Sequence, residues 1–180
     1  LAHNDFRNPL IAEGGTHDIV NNVIYDWGVL PAEIVDYGSN TFLNFVGNYF
    51  VAGPSTNPGP YEILFPKGDP KIYVRDNIGP HRSDPNMDDW AIVGFKWGEE
   101  GIAPEKHRSV TKYETPQIST QSAAEAMEIV LAEAGATAPQ RDAVDSRIVN
   151  DVKNRSGKII DSPDQVGGYP NPDEPEPKRV

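Results

Sequence analysis

Arg7, in the opening stretch LAHNDFRNP (1–9), is the only Lys or Arg before Lys67. Residues 1–70 carry eight Asp or Glu against these two cations, a local balance of −6. An isolated guanidinium in such surroundings ordinarily sits on the surface or in an ion pair, and its planar fork matches a carboxylate. Its position sets Arg7 apart. It lies beside Pro9 in a tight FRNP bend, where the chain leaves what reads as the end of a strand.

Other candidates carry less. His3-Asn4-Asp5 and His17-Asp18 could together hold a metal, yet neighbours on a strand face opposite ways and sequence fixes no third ligand. His17 reads more simply as opening a strand and hydrogen-bonding a turn. There is no G-x-S-x-G elbow and no Gly-rich loop leading into a helix, so neither a nucleophilic serine nor a phosphate cradle is indicated. Asn154-Arg155-Ser156 fits a glycosylation tripeptide, a pattern frequent by chance. With no cysteine, disulfides and thiolate metal sites are excluded.

The elements that must position these residues announce themselves by repetition. IVNNVI (19–24), FVGNYF (45–50) and YVRDNI (73–78) align without gaps, 26 and 28 residues apart. The alignment places Val20, Val46 and Val74 in one column, Asn22, Asn48 and Asp76 in the next, and Ile24, Phe50 and Ile78 in a third. On strands of period 2 all three columns share a face. Strands recurring at such a period, joined by Gly/Pro/Asn-rich connections, suggest the coils of a β-solenoid. An amide column can then hydrogen-bond along the stack, and Asp76, an acceptor only, would end it. Three strands of a sandwich in chance register would show the same local pattern.

WAIVGFKW (90–97) reads as a further strand. SAAEAMEIVLAEAG predicts a helix capped by Ser122 with Glu125 three residues on. Its stripe is Ala124, Met127, Val130, Leu131 and Ala134, and Gly135 marks its stop. DAVDSRIVNDVKNRSG repeats the plan, with Asp142 as cap, Val144, Ile148, Val149 and Val152 as stripe, and Gly157 as end. Both helices read as a packing cover on the strands. The chain thus divides into strand-rich coils and a crossing segment (1–118), a helical cover (119–160) and a Pro-rich, charged tail (161–180), extended or disordered at least from Asn171.

The whole chain is 180 residues with 17 Pro, 16 Gly, 37% hydrophobic residues and a net charge of −11. That charge argues against nucleic acid, which needs clustered Lys and Arg. No apolar run is long enough for a membrane helix. A polyanion would approach residues 1–70 only if bound cations reversed the field.

LAHNDFRNP, GTHDIVNNVIYDWG, NFVGNYFVAGP and RDAVDSRIVNDVKNRSGKIIDSPDQVGGYP together resemble the C-terminal portion of the family 1 polysaccharide lyases, the pectate lyases. The likeness is nearest to the bacterial branch with the pectate trisaccharide-lyases, and most specific at R-x-P and H-x-x-x-N-N-V-I-Y. The resemblance implies an all-β fold, the last coils of a right-handed parallel β-helix, with two C-terminal helices packed on it and an extended tail. It implies calcium-assisted β-elimination of polygalacturonate to 4,5-unsaturated oligogalacturonides. Arg7 would be the base that removes the C5 proton, in the R-x-P-x-x-R motif with Pro9. The motif's second arginine falls on Ala12. Asn4 and Asn8 would touch substrate, while Pro9, His17, Asn22, Asn48 and Asp76 would be structural.

The family's calcium ligands and assisting lysine lie upstream of the arginine. On this reading the chain holds no metal ligand of its own, is a fragment, and has little activity alone. Guanidines titrate above about 12, so base chemistry calls for a desolvated cleft and neighbouring cations, both of which disfavour the charged form. Calcium on the uronate would also acidify the C5 proton. The expected setting is a secreted or periplasmic monomer acting on an acidic polysaccharide, with no nucleic-acid or membrane partner. Two rivals stay open: a non-catalytic solenoid that binds uronate polysaccharide, and a lyase for methyl-esterified pectin. A hydrolase would need a carboxylate pair across the scissile bond, and none can be picked out.

Overall fold

The strands are short because the chain must turn three corners per coil. The structure, a computed structural model, describes residues 1–169 other than 13, 39, 60, 96–104 and 139. The first coil runs through β1 (Leu10–Ala12), β2 (Gly15–Val20) and β3 (Val23–Tyr25). The second repeats it with β4 (Ala32–Val35), β5 (Thr41–Val46) and β6 (Tyr49–Val51). The third has β7 (Ile63–Lys67), β8 (Lys71–Arg75) and a single bridge from Ile78 to Tyr49. β9 (Val93–Phe95) and β10 (Arg108–Ser109) follow.

Each strand pairs with its counterpart one coil away, always in parallel, giving sheets β1-β4-β7-β9, β2-β5-β8-β10 and β3-β6. Like stacks on like inside. Leu43 lies on Ile72, Phe45 on Val74, Ile24 on Phe50, and Ile63 on Val93. These side chains form one dry core with Trp27, Ile34 and Trp90. Fully burying each aliphatic side chain contributes roughly 1.5–3 kcal/mol.

The corner between the second and third sheets explains the asparagines and corrects their register. Asn21, Gly47 and Asp76 take left-handed backbone, with φ of 54°, 64° and 55°, a conformation these residue types tolerate best. The chain therefore breaks after Val20, and IVNNVI (19–24) closes one strand and opens the next rather than lying on a single strand. The residue after each corner turns its amide inward. Asn22 donates N–H and Nδ2 to Asn48 Oδ1 at 2.9 and 3.1 Å, and Asn48 donates the same pair to Asn77 Oδ1 at 2.9 and 2.8 Å. The ladder thus ends on Asn77, not on Asp76, which is a corner residue. Val74 accordingly pairs with Phe45, and Arg75 takes the place opposite Val46. Matching valine to valine had set the last coil one residue out of step.

His17 sits in the middle of β2 opposite Leu43, with Gly15 opening the strand. Its buried Nε2 has no hydrogen-bond partner, so the expected bond to a turn is not made through that atom.

The two helices mean that the chain is not wholly β. α1 (Ala123–Glu133) carries the expected capping box: Ser122 Oγ accepts from Glu125 N–H, and the Glu125 carboxylate accepts from Ser122 N–H at 3.0 Å. Its inward face is set by Ala123, Ala126, Met127, Val130 and Leu131, whereas Ala124 and Ala134 are exposed. Gly135 follows at φ 85°, fitting a stop.

α2 (Ala143–Asn154) starts at Asp142 as expected but ends on Arg155 in the left-handed region, before Gly157. Val144 is exposed, while Val152 is buried against Val23, Tyr25 and Val51. The cover therefore lies on the outer face of β3 and β6.

Within 90–97, Asp89–Ile92 is a 3-10 turn and only Val93–Phe95 is strand, while 96–97 fall outside the described residues. The crossing before it folds around buried Arg82. Its guanidinium donates to the carbonyls of Asn77, Pro85 and Met87 and pairs with Asp89 at 2.9 Å. Pro163–Val166 forms another 3-10 turn, so the start of the tail is not simply extended, and 170–180 lie outside the described residues. Among the described residues no helix is long and apolar enough to cross a membrane.

Candidate active site

β1 begins where the bend carrying Arg7 ends, and β4 brings an acid beneath it. Arg7 adopts φ 65°, a conformation that costs a non-glycine residue about 1 kcal/mol. Its Nε donates to Glu33 Oε2 at 3.1 Å, with the Arg7 side chain 52% exposed and that of Glu33 only 5%. Its guanidinium carbon lies 4.7 Å from the centroid of the Phe6 ring, a cation–π contact. Nε is thus committed inward. Among the described residues the two terminal nitrogens have no protein partner, and they are the part of the side chain free to meet a ligand.

The bend is clamped from below. Asn8 is buried, and its Nδ2 donates to the carbonyls of Asn4 and Leu30, both at 3.1 Å. Asn8 N–H reaches Pro31 O at 2.6 Å, and Glu33 N–H reaches Pro9 O at 2.9 Å. Asn8 therefore holds Arg7's loop, with its amide donors spent on backbone, and is not displayed to a substrate. Asn4 is exposed. Pro9, half-buried, leads into β1. Ala12 closes β1 opposite Val35 with its side exposed, and supplies no second cation.

The histidine-acid pairs do other work. His3 Nδ1 lies 2.7 Å from Asp26 and its Nε2 3.3 Å from Asp151 of α2, joining the helical cover to the coils. Tyr25 strengthens the same joint by donating its hydroxyl to Ser156 O at 2.6 Å. Its phenol is pushed up to about 12, first by desolvation and then by Asp26 and Asp151. Asp5 Oδ1 accepts from Val29 N–H, and Asp18 from Asn44.

Among the described residues no three His, Asp or Glu side chains converge as a metal-holding group. Glu33 is engaged by Arg7, and Asp5 by Val29 N–H. These residues do not fit a calcium ion.

Sequence reasoning missed Glu33. Its signal was present: a lone acid in the apolar strand PAEIV, 26 residues after Arg7, the same step as the first two repeats.

No family model matches the chain. Curated relatives do. It is 31% identical over 175 residues to probable pectate lyase C of Aspergillus fumigatus, covering 92% of this chain and 38% of that protein. The same-named proteins of Aspergillus terreus and Emericella nidulans match at 30% and 31% over 92% of this chain, covering 38% and 37% of their lengths. The chain thus spans less than two fifths of these relatives. Over nearly its whole length it is related to the pectate lyases.

Proposed function

We propose that this chain forms part of a right-handed parallel β-helix lyase that cleaves polygalacturonate by β-elimination, with Arg7 as the base. The observation that carries the reading is the Arg7 bend: a guanidinium anchored through Nε on a buried acid, its remaining nitrogens turned to no protein group among the described residues. In the reaction, Arg7 acts as the base and takes the C5 proton of a galacturonate. The electron pair forms the C4–C5 double bond and the C4–O bond breaks, the departing oxygen taking a proton from water, which leaves a 4,5-unsaturated sugar and a free chain end. The proton arriving on Arg7 creates a cation that Glu33 neutralises in place, while Phe6 and Asn8 hold its orientation. Calcium dependence belongs to the reading through the resemblance alone.

The test is ultraviolet absorbance of the unsaturated uronide when the complete protein meets polygalacturonate, with calcium and with EDTA. Product that appears only with calcium, and falls about 100-fold or more in Arg7→Ala, supports the assignment. Full activity in Arg7→Ala overturns it.

A second reading has its own support. A guanidinium held by a carboxylate is also the natural ligand of a uronate. Binding of oligogalacturonate without product in the complete protein would favour a non-catalytic solenoid.

A further inference from the structure

Two depressions adjoin on the outer side of the second and third coils. The larger, about 290 Å³, is lined by Trp27, Thr56, Asn57, Pro58, Pro80 and His81 among others. The smaller, about 160 Å³, is lined by Tyr49, Ile78, Ser83 and Arg155 among others, and shares Ala52 and Pro80 with the first. In a chain of net charge −11, no Asp or Glu among the described residues lines either one. Each carries one basic side chain; Trp27 lines the larger, and Tyr49 and Phe50 line the smaller.

The basic groups are built in. His81 stacks on Tyr61 with ring centroids 4.3 Å apart. Its Nδ1 lies 2.9 Å from Glu62 Oε2, and its N–H donates to Glu62 Oε1 at 2.8 Å. Glu62 is wholly buried, in a space kept open by Gly79, where a Cβ would come 2.5 Å from the carboxylate. Nδ1 being committed, Nε2 is the atom left for a ligand. Arg155 is exposed at the left-handed end of α2. Trp27 brings an indole N–H that is buried and has no partner.

The wall of the larger depression is tied through backbone to the segment that holds the Arg7 bend. Asn57 N–H reaches Gly28 O at 2.9 Å, and two residues on Leu30 O holds Asn8.

We infer that these adjoining depressions form a subsite for consecutive uronate residues, with His81 and Arg155 each meeting a sugar carboxylate and Tyr49 offering an apolar face to a ring. The occupant is argued from charge: two acid-free pockets, each with a cation, suit an oligouronate and offer little to a neutral glycan. This rests on the pectate reading above.

Glu62 holds the His81 proton, first through the hydrogen bond and then by charge, raising its pKa above the usual histidine value against the effect of burial. The charged and titratable groups against His81 are Glu62 and Tyr61, both ahead of β7, while Arg155 lines the adjoining depression. The His81 cation is present in acid and lost as pH rises through its raised pKa, while a uronate stays ionised. Affinity should therefore fall across that range.

The experiment is calorimetric binding of tetragalacturonate, with its methyl ester as control, to the complete protein in EDTA at pH 5.5 and 8.5. His81→Gln keeps a donor for Glu62, and Arg155→Asn suits the left-handed backbone, so both variants should fold, as thermal melts will show. The expected result is about tenfold weaker binding in each variant, weak binding of the ester, and loss of pH dependence in His81→Gln. Equal binding by the folded variants, or by the ester, overturns the subsite. Product formation separates the two proposals: a lyase with indifferent variants loses only the subsite, whereas His81-dependent binding without product loses only the lyase.

Discussion

Glu33 lies buried under Arg7, accepting its Nε at 3.1 Å across a step of 26 residues. That contact makes orientation and charge separable. Glu33→Gln keeps an acceptor but removes the charge, and should lower kcat about tenfold or more with little change in KM. Glu33→Ala should also loosen the side chain and broaden the loss. A pH–rate profile unchanged in Glu33→Gln would show that the charge is not used.

The same pair has a stability signature. Arg7→Ala strands the Glu33 carboxylate, and should cost about 1–2 kcal/mol by denaturant unfolding. Adding Glu33→Gln should restore most of that stability without restoring activity, since a neutral amide is cheaper to leave buried. Additive losses would mean that the contact contributes nothing to either.

The amide ladder gives a sharper structural test. Asn48 is fully buried, donating to Asn77 Oδ1 and Ile19 O and accepting from Asn22. Asn48→Ala should cost about 3 kcal/mol by orphaning several buried groups. Asp76→Asn should stay within about 0.5 kcal/mol, since Asp76 is exposed and Asn also tolerates the corner. Comparable losses at both positions would contradict the register.

That register shows how far sequence reading reached. The capping box at Ser122 and the Asp142 cap were legible because they are local, fixed by residues within a turn, and the coil period because similar strand segments recur along the chain. The last coil was not. Its corner slot is filled by three different residues, Asn21, Gly47 and Asp76, and what they share is a backbone angle, which no alignment of side chains reports. Arg7 was legible by isolation, but its partner was not, because which acid lies beneath it depends on coil length. Asn8 misled for a related reason: beside a candidate base, an amide suggests substrate, and only burial shows it to be a clasp. Arg82 belongs to the same class. A basic residue in a Pro-rich crossing reads as solvated until the chain is wrapped around it.

Tyr25 tests the docking of α2. Its hydroxyl donates to Ser156 O, and the phenol is raised to about 12 from 10.0, desolvation being the largest cause. A raised acid pKa means that the unfolded chain releases the proton first. The associated stability is intact below about 10 and drains away as pH rises towards 12. Tyr25→Phe should cost about 1 kcal/mol at neutral pH, through the lost hydrogen bond, and should flatten the alkaline decline. Should the variant unfold with the same alkaline profile as the parent, Tyr25 is not the group that couples α2 to the coils.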